Sequence, residues 1–253
     1  MAATKNKNPQ QPLTEQAIEE CLRYGGVLYE VRLTGITPLL MHADNLYYTE
    51  KVNIWRKDPQ NKKTSVAGDD RFPAWTWGGY CYTDSCYDSL IIPSDNIMTL
   101  LREAGAKVPT GKSRATYKFV TQYGVSVPDY FFYFTVGGKQ IKKDWINALV
   151  DDNNFENHIK EVEEHGFELF LKRAKIGTGL RASKHVRVRP MFRDWAAFGK
   201  ILVPDEKETG LKEDVLMQIL KIGGTQVGLG DWRPSSPSSG SYGKFKVELE
   251  RVS

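Results

Sequence analysis

Two adjacent acids and one block of cations are the residues here whose types and spacing could do chemistry. Asp69-Asp70, followed by Arg71, could position a ribose 2′-hydroxyl or hold a Mg2+ or Mn2+ ion; the reaction would then be metal-assisted cleavage of RNA. An exposed turn is the plainer role for the pair. The second feature is the segment 172–193, KRAKIGTGLRASKHVRVRPMFR, which holds eight Lys or Arg and no acid. The chain on either side carries slightly more acid than base, so the net charge of +4 is concentrated in this run. Lys172, Arg173, Lys175, Arg181, Lys184, His185, Arg187 and Arg189 are therefore candidates for phosphate contacts. In an extended chain His185, Arg187 and Arg189 point one way, and Val186 and Val188 the other. Such a strand would rest its apolar side on a core and present its cationic side to a polyanion.

Other spacings carry less. Residues 106–113 (AKVPTGKS) have the loose spacing of a phosphate-binding P-loop, but a helix precedes them where a strand is needed, and Pro109 lies inside. Lys112, Arg114 and Lys118 remain as a second basic cluster. His158, Glu161 and His165 would share one face of a helix as a two-His, one-carboxylate metal set, although their polar neighbours favour a solvated surface. His42 and His185 have no accompanying nucleophile motif, neither GxSxG nor HExxH. Cys21, Cys81 and Cys86 lack the spacing of a zinc site or a disulfide framework. No cofactor is expected, with Mg or Mn needed only if the acids cleave RNA.

These residues must be positioned by a chain of 253 residues that is 40% apolar and 26% charged, ordinary proportions for a globular protein with a substantial core. No apolar run approaches the length of a membrane span, and residues 1–12 are polar and read as a disordered tail. A reducing cytoplasm, bacterial or of a phage-infected host cell, is the expected compartment, with no membrane partner. Thr14 should cap a short amphipathic helix ended by Gly25-Gly26. VLYEVRL (27–33) alternates as a strand, while 47–89 shows no clear period and holds the aromatic cluster FPAWTWGGYCY. Ser94 or Asp95 should cap a helix over 96–106 with Ile97, Leu100, Leu101 and Ala104 buried. Strands follow at DYFFYFTV, FELFLKRAKI and FGKILV, with a short helix WINALV capped by Asp144. A helix over about 212–220, a Gly/Ser/Pro-rich loop and an alternating terminal strand close the chain. The order predicts an α+β fold with a mostly antiparallel sheet, as in RRM-like or ferredoxin-like domains. It occupies residues 13–253, with insertions at about 47–89 and 107–190 and a C-terminal glycine-rich loop.

Three segments in this order resemble the RAMP superfamily, specifically the backbone subunits of type III CRISPR effector complexes. They are residues 34–40 (TGITPLL), 92–102 (IPSDNIMTLLR) and 222–230 (IGGTQVGLG) with SYGKF beyond. RVRPMFRDW also resembles phage-encoded RAMP-like proteins, so a stand-alone phage relative fits the same signals. The resemblance implies binding of single-stranded RNA, guide RNA included, and head-to-tail self-association into a filament-like homo-oligomer. It also places the family's slicing acid between the first strand and the Ile-Pro helix, the interval that holds Asp69 and Asp70. Arg102, Lys112 and Arg114 would add phosphate contacts, as would Arg233 and Lys244 near the glycine loop. Gly228 and Gly230 would let main chain approach a phosphate, and Trp75, Trp77 or Trp232 could stack on a base. The rival expectations are a metal-dependent endoribonuclease and a phage protein that binds single-stranded DNA in defence evasion.

Overall fold

Alternation in Val27-Leu28-Tyr29-Glu30-Val31-Arg32-Leu33 demands a strand with one wet face. In the computed structural model this is β1 (Val27–Gly35), with Val27, Tyr29, Val31 and Leu33 buried and Glu30 and Arg32 exposed. The structure describes residues 12–64, 69–84, 87–111, 114–176, 183–237 and 240–252.

Ahead of β1 lies α1 (Glu15–Arg23), whose first turn is closed by Thr14 Oγ1 accepting from Ala17 N at 3.2 Å. After it come β2 (Leu39–Leu40), α2 (Leu46–Lys57), β3 (Ile91–Pro93) and α3 (Ser94–Gly105). Neither Ser94 nor Asp95 caps α3. Both lie inside it, and Pro93 fills the N-cap position with no side-chain bond. The chain continues with α4 (Val120–Tyr123), β4 (Phe131–Val136), α5 (Lys143–Ala148) and α6 (Phe155–Glu164). Asp144 likewise sits within the first turn of α5 rather than at its cap. The last elements are β5 (Glu168–Ile176), β6 (Ser183–Phe192), β7 (Trp195–Val203), α7 (Glu206–Thr209), α8 (Glu213–Ile222) and β8 (Phe245–Arg251).

Five strands form one sheet in the order β3-β4-β7-β1-β8, with every neighbouring pair antiparallel. Two strand–helix–strand units interleave in it: α3 lies between β1 and β4 in the chain, and α8 between β7 and β8. Each unit leaves a slot that a strand of the other fills. Ile97, Leu100, Leu101 and Ala104 of α3 and Leu216, Ile219 and Leu220 of α8 join Val31, Leu33, Phe132, Phe134, Ala197, Ile201 and Phe245 in one core. The helices thus cover a single face of the sheet. The mixed architecture and antiparallel pairing agree with the α+β reading of the sequence.

A second, three-stranded sheet has the order β2-β6-β5 and carries the basic run. The long segment that showed no period holds α2 and a tight 3₁₀ turn, Ala74–Tyr80. That turn is buried, so Trp75 (6% exposed) and Trp77 (1%) are core residues and not surfaces for a base. No helix among the described residues is long and apolar enough to cross a membrane.

Candidate nucleic-acid interface

The basic run folds as a hairpin whose register fixes where each cation points. Lys172 pairs with Arg187, Arg173 with Val186 and Phe170 with Arg189. Directly paired residues share a face of the sheet. Lys172, His185, Arg187 and Arg189 therefore lie on one side, and Arg173 lies with Val186 and Val188 on the other. The alternation foreseen for His185, Arg187 and Arg189 holds, and Val188 is fully buried. Lys112 and Arg181, and the side chains of Lys175 and Lys184, fall outside the described residues.

Two arginines of that cationic side are tied to acids of the chain itself. Arg187 Nη1 donates to Asp70 Oδ1 at 3.1 Å, and Arg189 Nη1 to Asp70 Oδ2 at 3.5 Å. Arg189 Nε donates to Asp231 Oδ2 at 2.9 Å, and its guanidinium lies 4.4 Å from the centre of the Tyr80 ring. His42 closes the network: its Nδ1 is 3.4 Å from Asp231 Oδ2, and its Nε2 meets Arg189 Nη2 at 3.2 Å. Burial alone would push the Asp231 carboxyl up, but the hydrogen bonds from His42 and Arg189 outweigh it and hold it well below the usual range. Burial and the adjacent Asp70 push the Tyr80 phenol up.

Arg189, 5% exposed, is thus a structural cation, and Arg187 is partly neutralised. The cost of leaving a buried guanidinium without a carboxylate explains why strand β6 must meet Asp70 and Asp231. The same pairing removes the expectation of an exposed acidic turn. Asp69 and Asp70 are 4% and 3% exposed. Asp69 is clamped by Arg71, whose Nη2 lies 2.7 Å from Oδ2. Burial would raise Asp69, yet the Arg71 hydrogen bonds keep its carboxyl below the ordinary value. Asp70 also accepts from the Val188 amide at 3.4 Å. Both acids are spent on donors from the chain itself.

The remaining sequence candidates divide. Lys172 is exposed and its Nζ lies 4.2 Å from the centre of the Trp232 ring; Arg173 is exposed on the opposite side. Arg193 is tied to Glu168. Arg233 pairs with Glu103 at 3.1 Å, and half-buried Lys244 donates its amide to Thr37 Oγ1. Gly228 and Gly230 let the chain approach itself rather than a phosphate: a Cβ on Gly230 would stand 2.3 Å from the Leu40 carbonyl oxygen, and the Gly228 amide donates to Gly223 O. His158 is fully buried between Trp77 Nε1 and the Asp152 carbonyl, and His165 stacks on Trp145 at 3.8 Å, so both rings are engaged by the chain itself and His158 does not lie on the solvated surface expected from its polar neighbours. Among the described residues no group of three His, Cys, Asp or Glu is placed to hold a metal ion.

A different surface gathers cations that form no ion pair with its one acid. Arg102 and Lys107 at the end of α3 and Lys118 ahead of α4 line an open groove of about 550 Å3, all three exposed. They make no ion pair among the described residues. Phe119 stands in the same groove, 68% exposed, with Lys118 Nζ 5.6 Å from its ring centre. Glu103 also lines the groove but is held by Arg233. Arg114 is exposed on the loop leading into α4. The bare face of the five-stranded sheet is mixed in charge: Glu30, Asp129, Glu248 and Glu250 surround Arg32 and Lys200 beside the stacked pair Tyr133–Phe198, 5.3 Å apart. With Lys246, paired to Thr34 on the same face, four carboxylates stand against three cations, which gives a phosphate backbone no net attraction there. Lys107 and Phe119 went unnoticed in the sequence because nothing in linear spacing marks a cation as unpaired. Neither a family model nor a curated protein sequence matches this chain.

Proposed function

We propose that this protein binds single-stranded RNA, with affinity resting on phosphate contacts in the α3–α4 groove and on the exposed cations of the β5–β6 hairpin. Arg102, Lys107, Arg114 and Lys118 follow the backbone, and Phe119 offers a ring on which a base stacks regardless of its identity. Lys172 and Arg173, exposed on opposite faces of the hairpin, offer further phosphate contacts. The observation that carries the reading is three exposed, unpaired cations around one exposed aromatic ring, on a molecule whose other cationic strand is neutralised from within. The interleaved strand–helix–strand order supports a ferredoxin-like, RRM-like core, here used away from its sheet face because that face offers a phosphate backbone no net attraction. This fits a RAMP-like backbone subunit better than an enzyme that cuts through Asp69 or Asp70, since both acids are buried in ion pairs. Head-to-tail association of copies along the strand belongs to the same reading.

Fluorescence polarisation of a labelled oligouridylate, titrated across salt concentrations, tests this. Log affinity should fall linearly with log salt, by about 0.7 per phosphate neutralised on a single strand. Arg102→Ala/Lys107→Ala/Lys118→Ala should make the slope shallower by about 2. A wild-type slope near zero, or a triple variant with an unchanged slope, overturns the assignment; oligodeoxyuridylate as competitor separates RNA from DNA as the preferred strand.

A further inference from the structure

A cavity of about 380 Å3 opens between α2 and the Asp70–Arg187 pair, away from the α3–α4 groove. Its size is at the small end of ligand sites and suits a single ring system with its sugar. Tyr48 and Tyr80 supply aromatic wall, and their rings are held by packing: Tyr48 lies edge-on to Trp75 at 6.1 Å, and Tyr80 is covered by Arg189. The polar lining is balanced. Asp44 and Asp70 bring carboxylates, and Arg56 and Arg187 bring guanidiniums.

Arg56 is the telling residue. Its Nη2 donates to the carbonyls of Asp69 and Phe72 at 3.2 and 3.3 Å, which fixes the guanidinium plane at the cavity wall. Its Nε is buried and has no hydrogen-bond partner. An atom with no accessible surface is out of a ligand's reach, so it is the Nη1 end of the guanidinium, engaged in neither of those bonds, that meets a ligand acceptor. Phosphate is a poor occupant, because it would meet Asp44 and Asp70 together with the arginines. A neutral heterocycle with acceptors on one edge and donors on another satisfies both signs at once. Among the nucleobases guanine has that complement: O6 and N7 accept, while N1–H and the exocyclic amine form an adjacent pair of donors that a carboxylate takes together.

We propose that this cavity binds one guanine base, with Asp44 accepting from its N1–H and N2 amine, Arg56 and Arg187 donating to its O6/N7 edge, and Tyr48 and Tyr80 flanking the ring. The site deepens the strand-binding reading above: the groove holds the backbone, and the cavity reads one base of the bound strand.

Two probes keep the two readings apart. Guanosine 5′-monophosphate, titrated calorimetrically into the full chain beside the adenosine, cytidine and uridine monophosphates, interrogates the cavity alone. It should bind at least tenfold more tightly than the other three, and Asp44→Asn should erase that margin. In polarisation, an oligouridylate carrying one central guanosine should bind about tenfold more tightly than plain oligouridylate. The Asp44→Asn variant should equalise the two while leaving plain oligouridylate affinity unchanged. Inosine, which lacks the exocyclic amine, should recover only part of the gain. If plain oligouridylate binds but neither guanosine probe shows a preference, the guanine site is wrong and strand binding stands. If guanosine monophosphate binds selectively while no strand does, the strand reading is wrong and the cavity stands. A guanine preference that survives Asp44→Asn also overturns the assignment of the carboxylate.

Discussion

Replacing Asp70 by asparagine separates a structural acid from a catalytic one. The carboxylate is 3% exposed and accepts from Arg187, Arg189 and the Val188 amide. Asparagine keeps the shape but removes the charge, and it turns a donor towards groups that already donate. Breaking a buried pair by removing one partner costs about 3–5 kcal/mol. Here Arg189 keeps Asp231 at 2.9 Å, and Arg187, 26% exposed, reaches water. The loss should therefore fall near the lower end, about 3 kcal/mol, or a fall in Tm of about 6–12 °C for a chain of this size. Asp69→Asn is the control: its partner Arg71 is 40% exposed, which limits the loss to about 1 kcal/mol. Urea unfolding followed by tryptophan fluorescence, with equal m-values for the two variants, gives both numbers. Equal losses for Asp69→Asn and Asp70→Asn, or an Asp70→Asn loss under about 1 kcal/mol, would refute the buried network and return Asp70 to the pool of open acids.

Further outcomes follow from the same geometry. Asp231 has a folded-state pKa below its unfolded value, so its contribution is complete above about pH 4 and is lost as pH falls towards the folded value. Urea midpoints measured from pH 5 down to pH 3 should decline less steeply in Asp231→Asn than in wild type; parallel curves would exclude Asp231 as a source of the acid loss. His158 is held neutral by burial against the pull of Asp152, so its share of stability is present above about pH 6.5 and declines below it. His158→Gln should be less stable at pH 7.5 and flatter between pH 7 and pH 5, and an unchanged slope there would count against a buried neutral imidazole. Gly230 (φ +76°) and Gly25 (φ +93°) share a left-handed backbone, but a Cβ meets Leu40 O at 2.3 Å in the first case and nothing within 4 Å in the second. Gly25→Ala should cost about 1–2 kcal/mol of strain alone, and Gly230→Ala measurably more in the same denaturation assay; similar losses would mean the glycine loop does not pack on β2.

Much of the frame was legible because it is written in local periodicity. The alternation of β1, the buried stripe of α3, the Thr14 cap and the span of α8 each follow from neighbours within a turn or two. The segment of residues 47–89 failed that test for a physical reason. In α2 the apolar residues Leu46, Tyr47 and Ile54 are exposed, and only Tyr48 and Val52 are buried, so no clean stripe exists to be read. Trp75 and Trp77 were ambiguous in the same way, since an aromatic in a short 3₁₀ turn has no period to declare its side.

Charge is the harder case. The phase of His185, Arg187 and Arg189 along β6 was correct, and what they face was not, because their carboxylates come from Asp70 and Asp231, on either side of the run and far away in the chain. Counting cations along a sequence measures the field before the fold has paired them. At an effective dielectric of about 20, a guanidinium and a carboxylate 4 Å apart attract by about 4 kcal/mol, more than a screened surface phosphate contact returns. The densest run of cations is for that reason the one that draws in buried acids. Sparse cations such as Arg102, Lys107 and Lys118, set on a helix end and a turn where the one neighbouring acid, Glu103, is taken by Arg233, keep their charge for a partner from outside.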